Sequence, residues 1–64
     1  LNTYSCKLSE QYSVHISKSE DSKYVVFFGT FDQKTQELIL TKLFDSTCLD
    51  RTKKFYLDFV SLYK

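Results

Sequence analysis

The first part of the chain alternates apolar and polar residues with a period of two. Residues 12–17 alternate without exception, and residues 3–8 do the same, with Tyr4, Cys6 and Leu8 on one side. This period is typical of β-strands that bury one face. The short polar segment 9–11 between them fits a hairpin connection. The pattern therefore predicts two antiparallel strands at the start of the chain.

Two further segments are apolar on both faces. Residues 23–31 are mostly β-branched or aromatic, and residues 36–44 follow after the polar turn 32–35. Strands with two apolar faces are typical of the centre of a sheet. Gly29 in the third strand indicates a bulge or a close approach of neighbouring atoms. Because all connections are too short for parallel crossovers, we expect the four strands to form an antiparallel meander.

After residue 46 the apolar residues recur at helical spacing. Thr47 and Asp50 match a capping box, with Thr47 as the N-cap and Asp50 at the third helical position. Leu57 is the one apolar residue that lies off the predicted apolar stripe. We therefore expect an α+β fold in which a four-stranded antiparallel meander sheet carries one C-terminal α-helix packed on one face. The residues of the stripe are Leu49, Thr52, Phe55, Tyr56, Phe59, Val60 and Tyr63.

A single helix covers only one face of a sheet, so the second apolar face lacks a cover. Either a strong twist and the first two strands hide most of that face, or a protein partner, a second copy or a missing element covers it. An exposed apolar patch of this size is larger than monomers usually carry. The residues expected on this partner face are Val25, Phe27, Phe31, Ile39 and Leu43.

Composition indicates one small globular domain spanning residues 1–64. The chain has 9 Lys plus Arg against 8 Asp plus Glu, and 42% of its residues are hydrophobic. Such values are typical of a folded domain, and the near-balanced charge disfavours nucleic acid as a partner. The missing initiator Met leads us to expect a fragment of a larger protein or a processed product. The sequence shows no signal-peptide pattern, which favours a cytoplasmic location slightly over secretion without assigning one.

The sequence contains no catalytic motif, so we expect a protein that is not an enzyme. Cys6 and Cys48 allow either one disulfide or two free thiols that act as small apolar side chains, and the residues leave both alternatives open. Together with His15 they lack the close spacing of metal ligands, so we expect neither a metal site nor a cofactor. Cys48 as a nucleophile would need His15 and an oxyanion hole, for which no motif is present.

Four basic residues are candidates for a phosphate-binding or lipid-binding patch. Lys42 lies on the fourth predicted strand, whereas Arg51, Lys53 and Lys54 crowd the start of the predicted helix. If the fold brought them together, they would attract the phosphate groups of an anionic phospholipid, an RNA or a phosphoprotein. Interspersed aspartates favour the simpler interpretation of a solvated helix face.

The order of these elements resembles the kinase-associated C-terminal domain. Residues 4–8 and 14–17, the paired central strands and the Phe55-Tyr56 helix carry the resemblance, and residues 43–47 followed by Lys54-Phe55 look like its last strand, small-residue turn and basic-aromatic helix. The family occurs at the end of checkpoint, microtubule-affinity-regulating and AMP-activated protein kinases. The resemblance implies a non-catalytic module that binds anionic phospholipids or folds back on a kinase domain.

The segment 13–64 is also similar in outline to the Alu-domain proteins of the signal recognition particle, which have an RNA-binding role. Our leading hypothesis is a non-enzymatic interaction or regulatory module that binds a protein partner, a second copy or an anionic membrane surface. The alternative is a small secreted protein with a single disulfide between Cys6 and Cys48, acting as a toxin, an inhibitor or a ligand.

Overall fold

The computed structural model describes residues 4–63, and within this range the chain forms four β-strands and one α-helix. The strands build one antiparallel sheet in the order β1-β2-β3-β4, and the helix packs on β2, β3 and β4. The predicted α+β meander with a C-terminal helix is thereby confirmed. The elements are β1 (Tyr4–Lys7), β2 (Tyr12–Lys18), β3 (Tyr24–Asp32), β4 (Glu37–Ser46) and α1 (Leu49–Ser61).

Short polar side chains close the turns between the strands. In the β1–β2 turn, the Ser9 hydroxyl accepts hydrogen bonds from the backbone N–H groups of Gln11 and Tyr12, at 3.3 and 3.2 Å. In the β3–β4 turn, the Asp32 carboxylate accepts the backbone N–H of Lys34 at 2.9 Å. Such local bonds from Ser and Asp satisfy turn backbone that no strand neighbour can reach. The polar segments predicted as turns therefore act as turns.

The hydrophobic core lies between the sheet and α1. Val14 and Ile16 of β2, Val26 of β3 and Val60 of α1 form its buried centre. Full burial of an aliphatic side chain contributes roughly 1.5–3 kcal/mol, so these few residues supply much of the stability of so small a domain. Aromatic rings enclose this centre, and their packing includes the stacked pair Phe44–Phe55, the edge-on pair Phe28–Phe59 and the stacked pair Tyr12–Phe28.

The start of α1 differs from the predicted capping box. The N-cap is Cys48, which makes no side-chain cap hydrogen bond, and the helix begins at Leu49. Asp50 is therefore the second helical residue rather than the third, which is too early for the reciprocal bond of a capping box. Ser46 takes over part of this role, because its hydroxyl accepts the Cys48 N–H at 3.0 Å. The prediction of Thr47 as the N-cap is therefore wrong.

A β-bulge divides β4 into two parts whose side chains alternate out of phase. Phe44 lies opposite Val26 and Lys42 lies opposite Phe27, so Leu43 has no partner on β3. One extra residue reverses which side chains point to each face of the sheet. Phe44 therefore faces α1, whereas the residues before the bulge that lie opposite Gly29 and Phe31 face away from it. These residues are Leu38 and Leu40.

Gly29 is a point of close approach and not the bulge. A Cβ atom at this position would lie 2.5 Å from the Ser13 hydroxyl oxygen, 3.1 Å from Nε2 of His15 and 3.3 Å from a methyl carbon of Leu38. Of the two interpretations that the sequence allowed, close approach is the one that the structure shows. Glycine is needed here because side chains from both neighbouring strands lie over its backbone.

Candidate binding surface on the fourth strand

The sheet face away from α1, here called the open face, is polar over β1 and β2 and largely apolar over β3 and β4. Residues directly opposite each other in antiparallel strands share a face, so the strand register assigns each side chain. The polar half carries Ser5, Lys7, Ser13, His15 and Ser17. The other half carries Val25, Phe27, Phe31, Leu38 and Leu40, with Lys42 and Asp45 at one end.

The polar half contains an open groove of about 370 Å³ that is lined partly by Lys7, Ser13, His15 and Phe31. The Ser13 hydroxyl and Nε2 of His15 are hydrogen-bonded at 2.8 Å. A serine nucleophile needs this contact, but it also needs a group that orients the histidine. Within residues 4–63, no carboxylate is hydrogen-bonded to His15. The pair can hold a polar group, but it lacks the arrangement of a catalytic site.

The apolar half of the open face is unevenly exposed. Val25 is buried, and Phe27 and Phe31 are partly buried. Leu38 and Leu40, in contrast, keep 52% and 49% of their surface exposed. Exposure therefore rises from the middle of the sheet towards β4, because β4 lies at the edge of the sheet and, within residues 4–63, has a strand neighbour on one side only.

Ile39 lies on the other face of the sheet, where the sequence did not predict it. It is opposite Thr30, on the side that carries α1, yet 56% of its surface is exposed. The helix contacts β4 near its other end, where the Phe55 ring stacks on Phe44 with centroids 4.7 Å apart. Leu43, also predicted for the partner face, is the unpaired residue of the bulge.

The stretch Leu38–Leu40, here called the β4 edge segment, is therefore accessible from both faces and from the side. The outer edge of a terminal strand carries backbone N–H and C=O groups that pair with no strand of its own sheet. Folded proteins usually protect such edges with charges, short strands or a covering element. Here the strand has 10 residues, and three consecutive aliphatic side chains lie at its free edge. This geometry is suited to binding another extended chain.

The four basic residues do not form one patch. Lys42 lies on the open face and is paired with Asp45 at 2.7 Å, whereas the other three lie on the helix, on the opposite side of the sheet. The bond from Lys42 holds the pKa of the Asp45 carboxyl below its usual value. On the helix, Lys53 lies over the Tyr4 ring and Lys54 is paired with Asp58 at 3.4 Å. Arg51 is exposed.

Both cysteines are free thiols in the structure. Cys6 packs against the core and Cys48 is exposed. Burial, with a smaller effect from the neighbouring Cys6, raises the pKa of the Tyr56 hydroxyl. Cys6 and Tyr56 both pack against the core, and Tyr56 is roughly 12 Å along the helix axis from Cys48 at about 1.5 Å per residue. The alternative of two free thiols fits this arrangement better than a disulfide does.

Other kinds of site find little support in the described part of the chain. Among residues 4–63 there is no group of three or more His, Cys, Asp or Glu side chains that could hold a metal ion. The helix described here is too short and too polar to cross a membrane. An apolar pocket of about 150 Å³ between β1 and α1, lined by Tyr4, Ile16, Lys53, Tyr56 and Leu57, is too small for most ligands.

Sequence reasoning anticipated an exposed apolar surface but misjudged its position. An uninterrupted alternation along β4 places Ile39 on the face of Phe27 and leaves Leu38 and Leu40 on the other face, and the bulge reverses this arrangement. The bulge at Leu43 carries no glycine or other local signal that would have revealed it.

No family model, curated protein or solved structure matches this chain.

Proposed function

We propose that this domain is a non-enzymatic interaction module that binds a protein partner through the β4 edge segment and the adjoining apolar half of the open face. One observation carries the proposal: three consecutive aliphatic residues at a free strand edge each leave about half of their surface exposed, at 52%, 56% and 49%. Contiguous exposed apolar surface marks interaction sites in soluble proteins.

The mode of binding that fits this surface is strand addition. In this mode an extended segment of the partner hydrogen-bonds to the free edge, and its alternate side chains contact the exposed residues on either face. Backbone bonds would supply affinity, and contacts with Leu38 and Leu40 on the open face and Ile39 on the other face would supply selectivity. The resemblance to kinase-associated C-terminal domains adds a regulatory role to the proposal, in which the partner belongs to a larger signalling assembly.

An anionic phospholipid is less well supported as the ligand. Membrane binding through headgroups requires several cations on one surface, and here Lys42 and the helical cations face opposite sides of the sheet. Flotation with phosphatidylserine-containing vesicles at low salt tests this point, and we expect no binding. Flotation that disappears at high salt would favour the lipid over a protein partner.

A secreted protein with a single disulfide is the second function that the sequence left open. It draws no support from the two free thiols. Thiol titration of the native, unreduced protein separates the two functions, because the interaction module should expose two titratable thiols after denaturation and the secreted protein none.

A capture experiment with matched variants tests protein binding. Wild-type protein, Leu40→Lys and Leu62→Lys are immobilised at equal density and exposed to an extract of the source cells. Both variants add one positive charge at an exposed leucine, but Leu62 lies at the end of α1 and is 80% exposed. We expect a partner that binds wild type and Leu62→Lys and is lost from Leu40→Lys. Equal recovery of the same proteins on all three would contradict the proposal.

A further inference from the structure

We propose that the β4 edge segment pairs with the same segment of a second copy of this chain. The two β4 strands run antiparallel about a two-fold axis that lies midway between Ile39 of one copy and Ile39 of the other, and the two sheets join into one continuous sheet. This inference rests on the proposed function, because both use the β4 edge segment as the binding surface. Here the binding partner is a second copy of the same chain.

Symmetry restricts how two β4 strands can pair. A two-fold axis perpendicular to the sheet makes neighbouring edges antiparallel and keeps both helices on the same side. Residues that face each other must then point to the same face of the joined sheet. One residue of β4 must consequently face its own counterpart, and the axis lies midway between the two. The candidate axis positions in the exposed part of β4 are Leu38, Ile39 and Leu40.

The register in which Ile39 faces its own counterpart gives the best match of side chains. It places Ile39 opposite its own counterpart, and Leu38 of each copy opposite Leu40 of the other, so every central pair is aliphatic. A register in which Leu40 faces its own counterpart would instead place Lys42 opposite Leu38. A register in which Leu38 faces its own counterpart would place Glu37 opposite Ile39. Both of these set a charged side chain against an aliphatic one, which lowers the stability of the pairing.

The charges of the facing side chains are also compatible with the register in which Ile39 faces its own counterpart. Glu37 of each copy lies opposite Thr41 of the other, and Lys42 lies opposite Gln36, so no two like charges face each other. Asp45 already neutralises Lys42 through their 2.7 Å ion pair. Each chain carries a formal net charge of only +1, so overall repulsion between two copies is weak.

Two backbone features limit the length of the pairing. On one side the bulge at Leu43 disrupts the strand, and bulges commonly end edge pairing. On the other side Gln36 has a φ of 62°, which turns the chain out of the strand. Pairing is thereby confined to residues 37–41, since the position opposite Lys42 is Gln36, where the chain has left the strand. An interface this narrow is smaller than the roughly 1,600 Å² of a standard stable complex, so we expect a weak dimer that forms with rising concentration.

The other edge of the sheet does not offer the same surface. β1 has only 4 residues, and its open-face side chains, Ser5 and Lys7, are polar. Its other face lies near α1, where Lys53 covers the ring of Tyr4. Pairing through β1 would bury little apolar surface, so the two-fold β4 contact produces a closed dimer and not a chain of stacked sheets.

Sedimentation across a wide concentration range tests the proposal with two oppositely charged variants. Wild type and the surface control Leu62→Lys should shift from monomer towards a doubled mass. Ile39→Lys and Ile39→Glu should each stay monomeric, because two like charges would meet at the axis. An equimolar mixture of these two variants should dimerise more than either alone, since opposite charges then face each other. Circular dichroism checks that each variant is folded.

The outcomes that overturn the proposal are distinct. Wild type that stays monomeric at all concentrations excludes self-pairing but leaves capture of another partner unaffected. A dimer that persists in Ile39→Lys places the interface elsewhere, and a mixture no more dimeric than its components removes Ile39 from the axis. Larger assemblies in wild type would contradict a closed dimer.

Cross-linking provides a second measurement that does not depend on added charge. Ile39→Cys in a Cys48→Ser background places two thiols opposite each other at the axis, within reach of a disulfide. Oxidised glutathione should convert this variant to a covalent dimer faster than it converts Leu62→Cys in the same background. Equal rates for the two variants would contradict the register.

Discussion

Two aliphatic stretches in the same sheet have opposite environments. In β2, Val14 and Ile16 are 0% and 2% exposed, whereas Ile39 in β4 is 56% exposed. Their side chains are similar in size and hydrophobicity. β2 has strand neighbours on both sides and contacts α1, whereas among residues 4–63 β4 has a strand neighbour on one side only, and Phe55 of the helix stacks near its end, on Phe44. Position in the fold, and not hydrophobicity, therefore decides which of these residues form the core.

The direction of the helix explains this difference. α1 starts just after β4 and its Phe55 stacks on Phe44, and further along it lies over the middle of the sheet, where Phe59 meets Phe28. A helix of 13 residues spans roughly 20 Å at 1.5 Å per residue. It is too short to cover the far end of the β3–β4 hairpin as well. The β4 edge segment is exposed because the chain provides no second element to cover it within residues 4–63.

The sharpest test of the comparison replaces the same residue type in both stretches. Ile16→Ala should lower the free energy of unfolding by about 2–5 kcal/mol, because it leaves a cavity in the core. Ile39→Ala should cost about 1 kcal/mol or less, since half of the side chain is already in water. Urea unfolding at low protein concentration measures both. Similar losses from the two substitutions would show that the β4 edge segment is packed.

Phe27 tests whether the middle of the open face contributes to stability. Its side chain is partly buried on the face away from α1, so Phe27→Ala should cost about 2 kcal/mol, less than the roughly 3–5 kcal/mol typical of a fully buried phenylalanine. Phe44→Ala, on the helix side of the same strand pair, is the matched control and should cost more. Thermal or urea unfolding decides between them, and a larger loss at Phe27 would mean that the open face is covered.

Gly29 lies where the polar and apolar halves of the open face meet. Gly29→Ala should cost about 1 kcal/mol, because the new methyl group would overlap the Ser13 hydroxyl. Adding Ser13→Ala removes the nearest obstructing atom, so the double variant should recover part of this loss. Urea unfolding of the two single variants and the double variant measures the coupling. Additive losses would indicate that the obstruction arises from another neighbour.

The smallest expected effect concerns Tyr56, at the covered side of the sheet. Burial raises the pKa of its hydroxyl in the folded protein, so the folded state favours the neutral form. The associated stability is present below the pKa of tyrosine in the unfolded chain and is lost as pH rises through the higher folded value. Tyr56→Phe should therefore weaken the loss of stability above about pH 10.

The exposed Tyr63 supplies the control for that measurement. Tyr63→Phe should leave the alkaline loss of stability in place, whereas Tyr56→Phe should reduce it. Urea midpoints recorded at neutral pH and at several alkaline values compare the three proteins. If Tyr56→Phe follows the wild-type curve throughout, ionisation of Tyr56 contributes nothing to alkaline unfolding.

Much of the fold could be predicted because it follows from local periodicity. The alternation of residues 12–17 identified β2, and the change to helical spacing identified α1, although the predicted capping box placed its N-cap one residue too early. Leu57 was predicted to lie off the apolar stripe, and it is 62% exposed. These features depend on residues that are close together in sequence. The spacing of the apolar residues among them determines which face of a strand or helix is apolar.

The candidate site could be predicted only in part because it depends on contacts between distant residues. The bulge at Leu43 arises from the pairing of β4 with β3, and its effect is to exchange which side chains share a face with Phe27. Likewise, the separation of Lys42 from Lys53 and Lys54 follows from the choice of face on which the helix packs. Neither the bulge nor the choice of helix face is indicated by a pattern within a short segment of the sequence.

The sequence by itself determined that this chain forms a four-stranded meander with one amphipathic helix, and that its apolar surface exceeds what one helix can cover. Only the tertiary structure decided which residues are left uncovered, namely Leu38, Ile39 and Leu40 at a free edge. The physical reason is that hydrophobic periodicity acts along the chain, whereas burial depends on strand register, edge position and helix direction. These are properties of the assembled sheet.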